Sequence, residues 1–489
     1  MFILNMNRQP PIGEGICGKD SGVKSEGIMT VSSNIVEESM PCKKNNGDDV
    51  EINLFEILKK QFGADCVYHS VKYKKKNGQE KELSDLLIVA LPYVISIQLK
   101  WLSYNSDDFE SERGHVIAQR VIKRMEDGAR QHKSLTSLLS NASSIELPAI
   151  WDEGKYTYHL PTTFIKKVLP IVVIDFDDKR YDDPDNRLLL PPIVASANNN
   201  ASDISVVHAF LLKDVKRILE DMFTVGDFLT YLHHRARILV KRHQFHFPYN
   251  ELTIFAIYLT KFDLFEKLIR YDHILFLEND IYEQRMSEVE DAIKKRRRLY
   301  SENDRVDDIM QFLKDDVRSS HKVWGSVENC SVQYIVCLSR LKIFESMFKR
   351  MVSDRIEYCW TRVVENNEQS HLTYIVDDKK TITGLSIIVA CIDINSDDFV
   401  KNSVGILDWA FRRFMTALKN EKVRNNINEV LMILFNRSKE KMCMCVRELV
   451  PEDYKLVLSE SEAEEQSRLM KRGNYHFEEW GFLKSNGLN

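Results

Sequence analysis

Glu82-Leu83-Ser84-Asp85-Leu86-Leu87-Ile88-Val89, followed after Leu91-Pro92 by Ile95-Ser96-Ile97-Gln98-Leu99-Lys100, is the stretch on which the reading turns. Both runs are rich in Leu, Ile and Val, have the length of strands, and are parted by a proline. Asp85 stands at the start of the first run. Gln98 and Lys100, two apart near the end of the second, project to one face. The interval from Asp85 to Gln98 is what two adjacent strands and a tight turn require. Three polar side chains therefore enter an apolar strand pair, where each would cost roughly a few kcal/mol if left without a partner. They are expected to meet a ligand or one another. The plainer alternative is an ordinary strand pair with a capping Asp and an exposed Gln/Lys edge.

Working outward, Ile52, Phe55, Leu58 and Phe62 recur every three or four positions, which predicts a helix over Glu51–Phe62 closed by Gly63. Val67–Tyr73 reads as a strand, and Asn77-Gly78 predicts a hairpin into Glu82–Ala90. Downstream, Glu112–Leu139 carries Ile117, Val121, Met125, His132, Leu135 and Leu139 near one stripe, a long helix. After a polar loop around Asn141–Glu153, Val168–Ile174 is apolar without alternation, as in a strand covered on both faces. Val206–Leu211 adds a strand, and Lys213–Val240 two helices split at Thr224–Asp227. Beyond Phe247, helices are expected at Asn250–Asn279, Met286–Lys314, Gln333–Val363 and Asp408–Lys419. Strands are expected at Thr373–Ile375, Gly384–Ile394, Glu429–Phe435 and Lys441–Val446. The fold class is α/β over residues 49–240, then a mainly helical region over 247–365 and an α+β region over 366–458. Residues 1–48 read as a disordered leader and 459–489 as an acidic, solvated tail.

The order helix, hairpin, then Asp85-(x12)-Gln98-Leu99-Lys100 resembles the PD-(D/E)XK, restriction-endonuclease-like nucleases, with Ser84 at the family's proline and Gln98 at its acidic position. The resemblance covers about residues 50–175 and at its widest the whole 49–240 domain, which it implies is nuclease-like. It implies a restriction-endonuclease-like core, a mixed sheet flanked by helices, and an endonuclease whose setting is defence against phage or other foreign DNA.

 The activity it implies is metal-dependent cleavage of phosphodiester bonds in DNA, with RNA as the other substrate class and a catalytically inactive, nucleic-acid-binding or scaffold version as the alternative. Such cleavage uses Mg²⁺ or Mn²⁺ held by oxygen ligands. On that resemblance Asp85 supplies an anionic ligand, Gln98 an amide oxygen and Leu99 its main-chain carbonyl. Lys100 orients or deprotonates water, or stabilises charge in the transition state. Glu51 or Glu56 on the first helix, with Glu51 preferred, completes the set, and Gln131 on the long helix faces it. Gln98 in place of a carboxylate is expected to weaken metal binding. Lys74, Lys75 and Lys76 at the hairpin tip, with Arg124 and Arg130 on the long helix, are candidate phosphate contacts, against the alternative of solvated faces.

The chain of 489 residues suggests two to four domains, and 44% hydrophobic residues suffice for buried cores. Lys+Arg at 68 against Asp+Glu at 73 gives a net charge of −5, which excludes a uniformly basic nucleic-acid coat but leaves a local basic cleft open. No apolar run reaches the roughly 18 residues of a membrane span. Nine cysteines without regular spacing read as reduced thiols of a cytoplasmic protein, and Cys443 and Cys445 as strand packing. His233, His234, His243 and His246 lack partners at zinc spacing, and Lys294–Arg298 reads as a solvated helix. Walker, dinucleotide and Gly-x-Ser-x-Gly motifs are missing, so ATPase, dehydrogenase and serine-hydrolase readings lose support. A homo-oligomer, or a regulatory partner bound through the C-terminal region, is the expected assembly.

Overall fold

The computed structural model describes residues 2–5, 47–74, 80–102, 114–141, 144–148, 157–176, 193–194, 206–240, 251–260, 305–311, 336–377, 385–420, 429–438, 441–450 and 477–480, with single residues or pairs at 290–291, 294, 313, 453, 460–461 and 464. In chain order its first elements are β1 (Phe2–Asn5), α1 (Gly47–Phe62), β2 (Val67–Lys74), β3 (Glu80–Ala90), β4 (Tyr93–Leu102) and α2 (Gly114–Asn141). Then come β5 (Ser144–Pro148), β6 (Thr157–Pro161), β7 (Lys167–Phe176), β8 (Ile193–Val194), β9 (Val206–Leu211), α3 (Leu212–Glu220), α4 (Val225–Val240) and α5 (Glu251–Thr260). The C-terminal elements are α6 (Ser346–Val364), β10 (Ser370–Asp377), β11 (Leu385–Ile392), α7 (Ser396–Asn420), β12 (Glu429–Asn436), β13 (Lys441–Glu448) and β14 (Phe477–Trp480).

Two mixed six-stranded sheets organise the molecule, so it is α/β. The first runs β2-β3-β4-β7-β9-β8. Its first three strands form an antiparallel meander, and β4, β7 and β9 are parallel. Parallel strands need helical crossovers, and α2 supplies the one from β4 to β7. Strand β7 sends Ile171 and Val173 into one apolar cluster and Val172 and Ile174 into another, under α2. Burial on both faces is why its sequence does not alternate. The second sheet runs β1-β13-β12-β11-β10-β14, with α6 and α7 packed on it.

One continuous core links the sheets, from Leu54 and Leu58 of α1 through Phe228 of α4 and Phe344 to Ile387 of β11 and Ile433 of β12. Burying each such side chain contributes roughly 1.5–3 kcal/mol. Two polar knots lie inside it. Arg235 forks onto Glu251 at 2.7 Å and also reaches His208 and the Ala209 carbonyl. Arg340 forks onto Glu429 at 2.6 and 2.9 Å and donates to the Leu91 carbonyl at the β3–β4 turn.

Several expectations change. The 1–48 leader contributes Phe2–Asn5, paired antiparallel with β13, while residues 6–46 lie outside the described residues. The tail contributes Phe477–Trp480, paired parallel with β10. The polar loop around Asn141–Glu153 contains β5, which pairs with β6 and buries Ile145 and Leu147. On α1, Ile52 is exposed and Leu54 takes the buried place. The helix expected over Gln333–Val363 breaks after Lys342, and Asp227 of α4 accepts from the main-chain N–H and hydroxyl of Ser346 where α6 starts. Helix α7 begins well before Asp408, at Ser396, with Asn395 accepting from the Asp398 N–H. The split between α3 and α4 has the expected chemistry, the Asp227 N–H donating to Thr224 Oγ1 at 3.0 Å. The described cysteines are free thiols. Burial pushes Cys337, Cys359 and Cys443 up to about 12, so they act as small apolar residues. Lys294 is exposed and pairs with Asp291; the rest of the 294–298 run lies outside the described residues. No helix among the described residues is long and apolar enough to cross a membrane.

Candidate active site

The antiparallel pairing of β3 with β4 extends from Ala90↔Tyr93 to Leu86↔Ile97. Beyond it the Leu99 N–H finds its acceptor in the Asp85 side chain, at 2.6 Å from Oδ2. A carboxylate thus takes the place of a ladder carbonyl, which pins Asp85 beside the outer end of β4. Ser84 is buried there, its hydroxyl donating to the Leu86 and Ile97 carbonyls and meeting Ser96 Oγ at 2.9 Å. Ser84 therefore uses its hydroxyl to tie the two strands together.

Lys100 Nζ donates to the Leu99 carbonyl at 3.0 Å and to Gln98 Oε1 at 3.3 Å, and lies 4.0 Å from Asp85 Oδ2. One ammonium collects an amide, a carbonyl and a carboxylate oxygen. Gln98 is 3% exposed, while the side chains of Asp85 and Lys100 keep 14% and 15% of their surface in solvent. Burial raises the Asp85 carboxyl above its usual range, with Lys100 and the Leu99 N–H opposing. Burial lowers the Lys100 ammonium, with Asp85 opposing.

Glu51 and Glu56 go separate ways on α1. Glu51 Oε1 meets His69 Nε2 at 2.8 Å and accepts from Ser70 Oγ at 3.4 Å, both on β2. Burial, and then the charge of Asp85, raise its pKa, so the two carboxylates feel each other. Glu56 is exposed and pairs with Lys59 at 2.9 Å, on the other side of the helix. His69 and Ser70 were not singled out in the sequence. A histidine inside a strand next to a basic hairpin carries no signal of its own.

Gln131 does not join the group. The stripe of α2 that faces the sheet is Val121, Met125, Gly128, His132 and Leu135, and Gln131 lies one helical step away from it, exposed. The charges on α2 that reach Lys100 are those of Arg124 and Asp127. Arg124 is exposed, and Arg130 is exposed and paired with Asp127. Lys75, Lys76 and the side chain of Lys74 lie outside the described residues, as do His243 and His246.

Among the described residues no three His, Cys, Asp or Glu side chains converge as a metal-holding group. The oxygens gathered at Lys100 come instead from one carboxylate, one amide and one main-chain carbonyl. The ammonium stands in for a cation among hard oxygen donors, so the donor set fits Mg²⁺ or Mn²⁺ with one fixed negative charge. Comparison with known proteins finds no matching family model, no similar curated protein and no similar solved structure.

Proposed function

We propose that the chain is a metal-dependent nuclease of the PD-(D/E)XK type that cuts phosphodiester bonds in DNA. The observation that carries the reading is the gathering of Asp85, Gln98 and the Leu99 carbonyl around one positive charge, Lys100 Nζ. The order α1, β2–β3 hairpin, β4, α2 also agrees with the resemblance.

Asp85, Gln98 and Leu99 would hold the cation, with Glu51 as the further carboxylate. When bound, the cation supplies Lewis-acid polarisation of a phosphoryl oxygen and lowers the pKa of water. Lys100 handles the proton and the charge. Its buried setting favours the amine more than water does, so it can accept a proton from attacking water, and as an ammonium it answers charge growing on the phosphate. Gln98 brings no charge, so activity is expected to rise with Mg²⁺ over a wide concentration range. DNA is preferred over RNA because the resembled superfamily acts mainly on DNA.

Purified full-length protein incubated with supercoiled plasmid and Mg²⁺ should nick or linearise it. Asp85→Ala and Lys100→Ala should each slow cleavage by about 10²-fold or more. Cleavage untouched by either substitution would remove both residues from the mechanism. The engagement of Gln98 and Leu99 by Lys100 favours a second reading, a binding protein whose internal ammonium keeps the cation seat. Salt-dependent DNA binding without cleavage under any divalent ion would select it. The same assay on RNA separates an RNA-cleaving effector.

A further inference from the structure

We infer that His69 and Ser70 are positioning residues that fix Glu51 through its Oε1, so that Oε2 serves the cation site beside Asp85. The inference rests on the cation reading proposed above.

Three atoms form a closed triangle. His69 Nε2 lies 2.8 Å from Glu51 Oε1, Ser70 Oγ lies 3.4 Å from the same oxygen, and the two donors are 3.4 Å apart. Consecutive residues of a regular strand point to opposite faces, so two neighbours cannot ordinarily serve one oxygen. Here they can, because Ser70 has a φ of +48°. That left-handed conformation is strained for a residue with a side chain, and such strain persists where the surroundings hold it. A partly exposed ion pair alone stabilises little and does not account for it. Glycine would relieve the strain but would forfeit the hydroxyl that the triangle uses. The Phe55 ring, centred 5.2 Å from that of His69, supports the imidazole from α1. The charge of Asp85 acts on Glu51 and that of His69 on Asp85, and His69 lies on β2 opposite Leu86, next in sequence to Asp85, so the triangle adjoins the site rather than a remote surface.

The test is Mn²⁺ affinity of the full-length protein, read by electron paramagnetic resonance and therefore independent of cleavage. His69→Ala should weaken Mn²⁺ binding about tenfold, the lower end for partners that orient metal ligands. His69→Gln, which keeps an N–H donor, should recover most of the loss. In a Glu51→Gln background His69→Ala should cost nothing further. Ser70→Gly should weaken Mn²⁺ while leaving thermal stability equal or higher, an opposition that a purely structural role would not produce. Independent losses for His69→Ala and Glu51→Gln, or no loss for His69→Ala, would overturn the inference and leave the Asp85 site standing. Failure of the wild type to bind Mn²⁺ at all would overturn the cation reading and this inference with it.

Discussion

His132 of α2 shows how one buried ring sets a pH limit. Its Nε2 lies 2.9 Å from the Ile171 carbonyl, and Nδ1 is buried with no partner among the described residues. A proton on Nδ1 would place an unanswered charge in an apolar layer, and burial lowers the ring to about 4. The folded value lies below the ordinary 6.5, so the stability held by the neutral ring is complete above pH 6.5. It is lost as pH falls through about 4, and amounts to about 3 kcal/mol. Denaturant titrations between those pH values should show a steeper decline for the wild type than for His132→Gln. Parallel declines would rule out His132 as the acid-sensitive group. Asp85, Gln98 and Lys100 were legible at this scale because each is a polar residue placed against an apolar pattern. His69 and Ser70 were not, because their pairing with Glu51 depends on a backbone twist at one serine that no spacing rule anticipates.

At the scale of elements, the contact between α2 and β7 is decided by Gly128. A Cβ there would sit 2.6 Å from Val172 Cγ2 and 3.0 Å from Cγ1. Alanine normally improves a helix by about 1 kcal/mol over glycine. Overpacking a filled layer costs roughly 1–3 kcal/mol, so the steric term should win. Gly128→Ala is expected to lower unfolding free energy by about 1 kcal/mol, and Gly128→Ala with Val172→Ala to restore room for the methyl. A Gly128→Ala variant more stable than wild type would contradict the close approach. Long amphipathic helices and two-faced strands were readable because their period is repeated many times. Strands β1, β5, β8 and β14 were not, since two to five residues carry too little pattern and gain their stability from the neighbours they pair with.

For the whole molecule, the fork of Arg340 on Glu429 is the decisive contact, because both side chains are buried and neither has water to turn to. Lys166, just before β7, adds to it at 3.4 Å. Removing one partner of a buried pair costs about 3–5 kcal/mol. Glu429→Ala should lower unfolding free energy by that amount, and it should shift a single cooperative transition of the entire chain. Two separate transitions with only one displaced would mean that the two sheets fold independently. Local pattern announced the longer strands of both sheets, but not the core that joins them, since an arginine some 90 residues from its glutamate leaves no mark in the sequence.

Arg340 also grips the Leu91 carbonyl, at the closed end of the β3–β4 hairpin, while Asp85 and Gln98 lie towards its open end. The hairpin is therefore tethered at its turn to the C-terminal sheet. A displacement of β12 would reach that turn through Glu429 and Arg340, and the Asp85 and Gln98 oxygens stand further out on the same two strands.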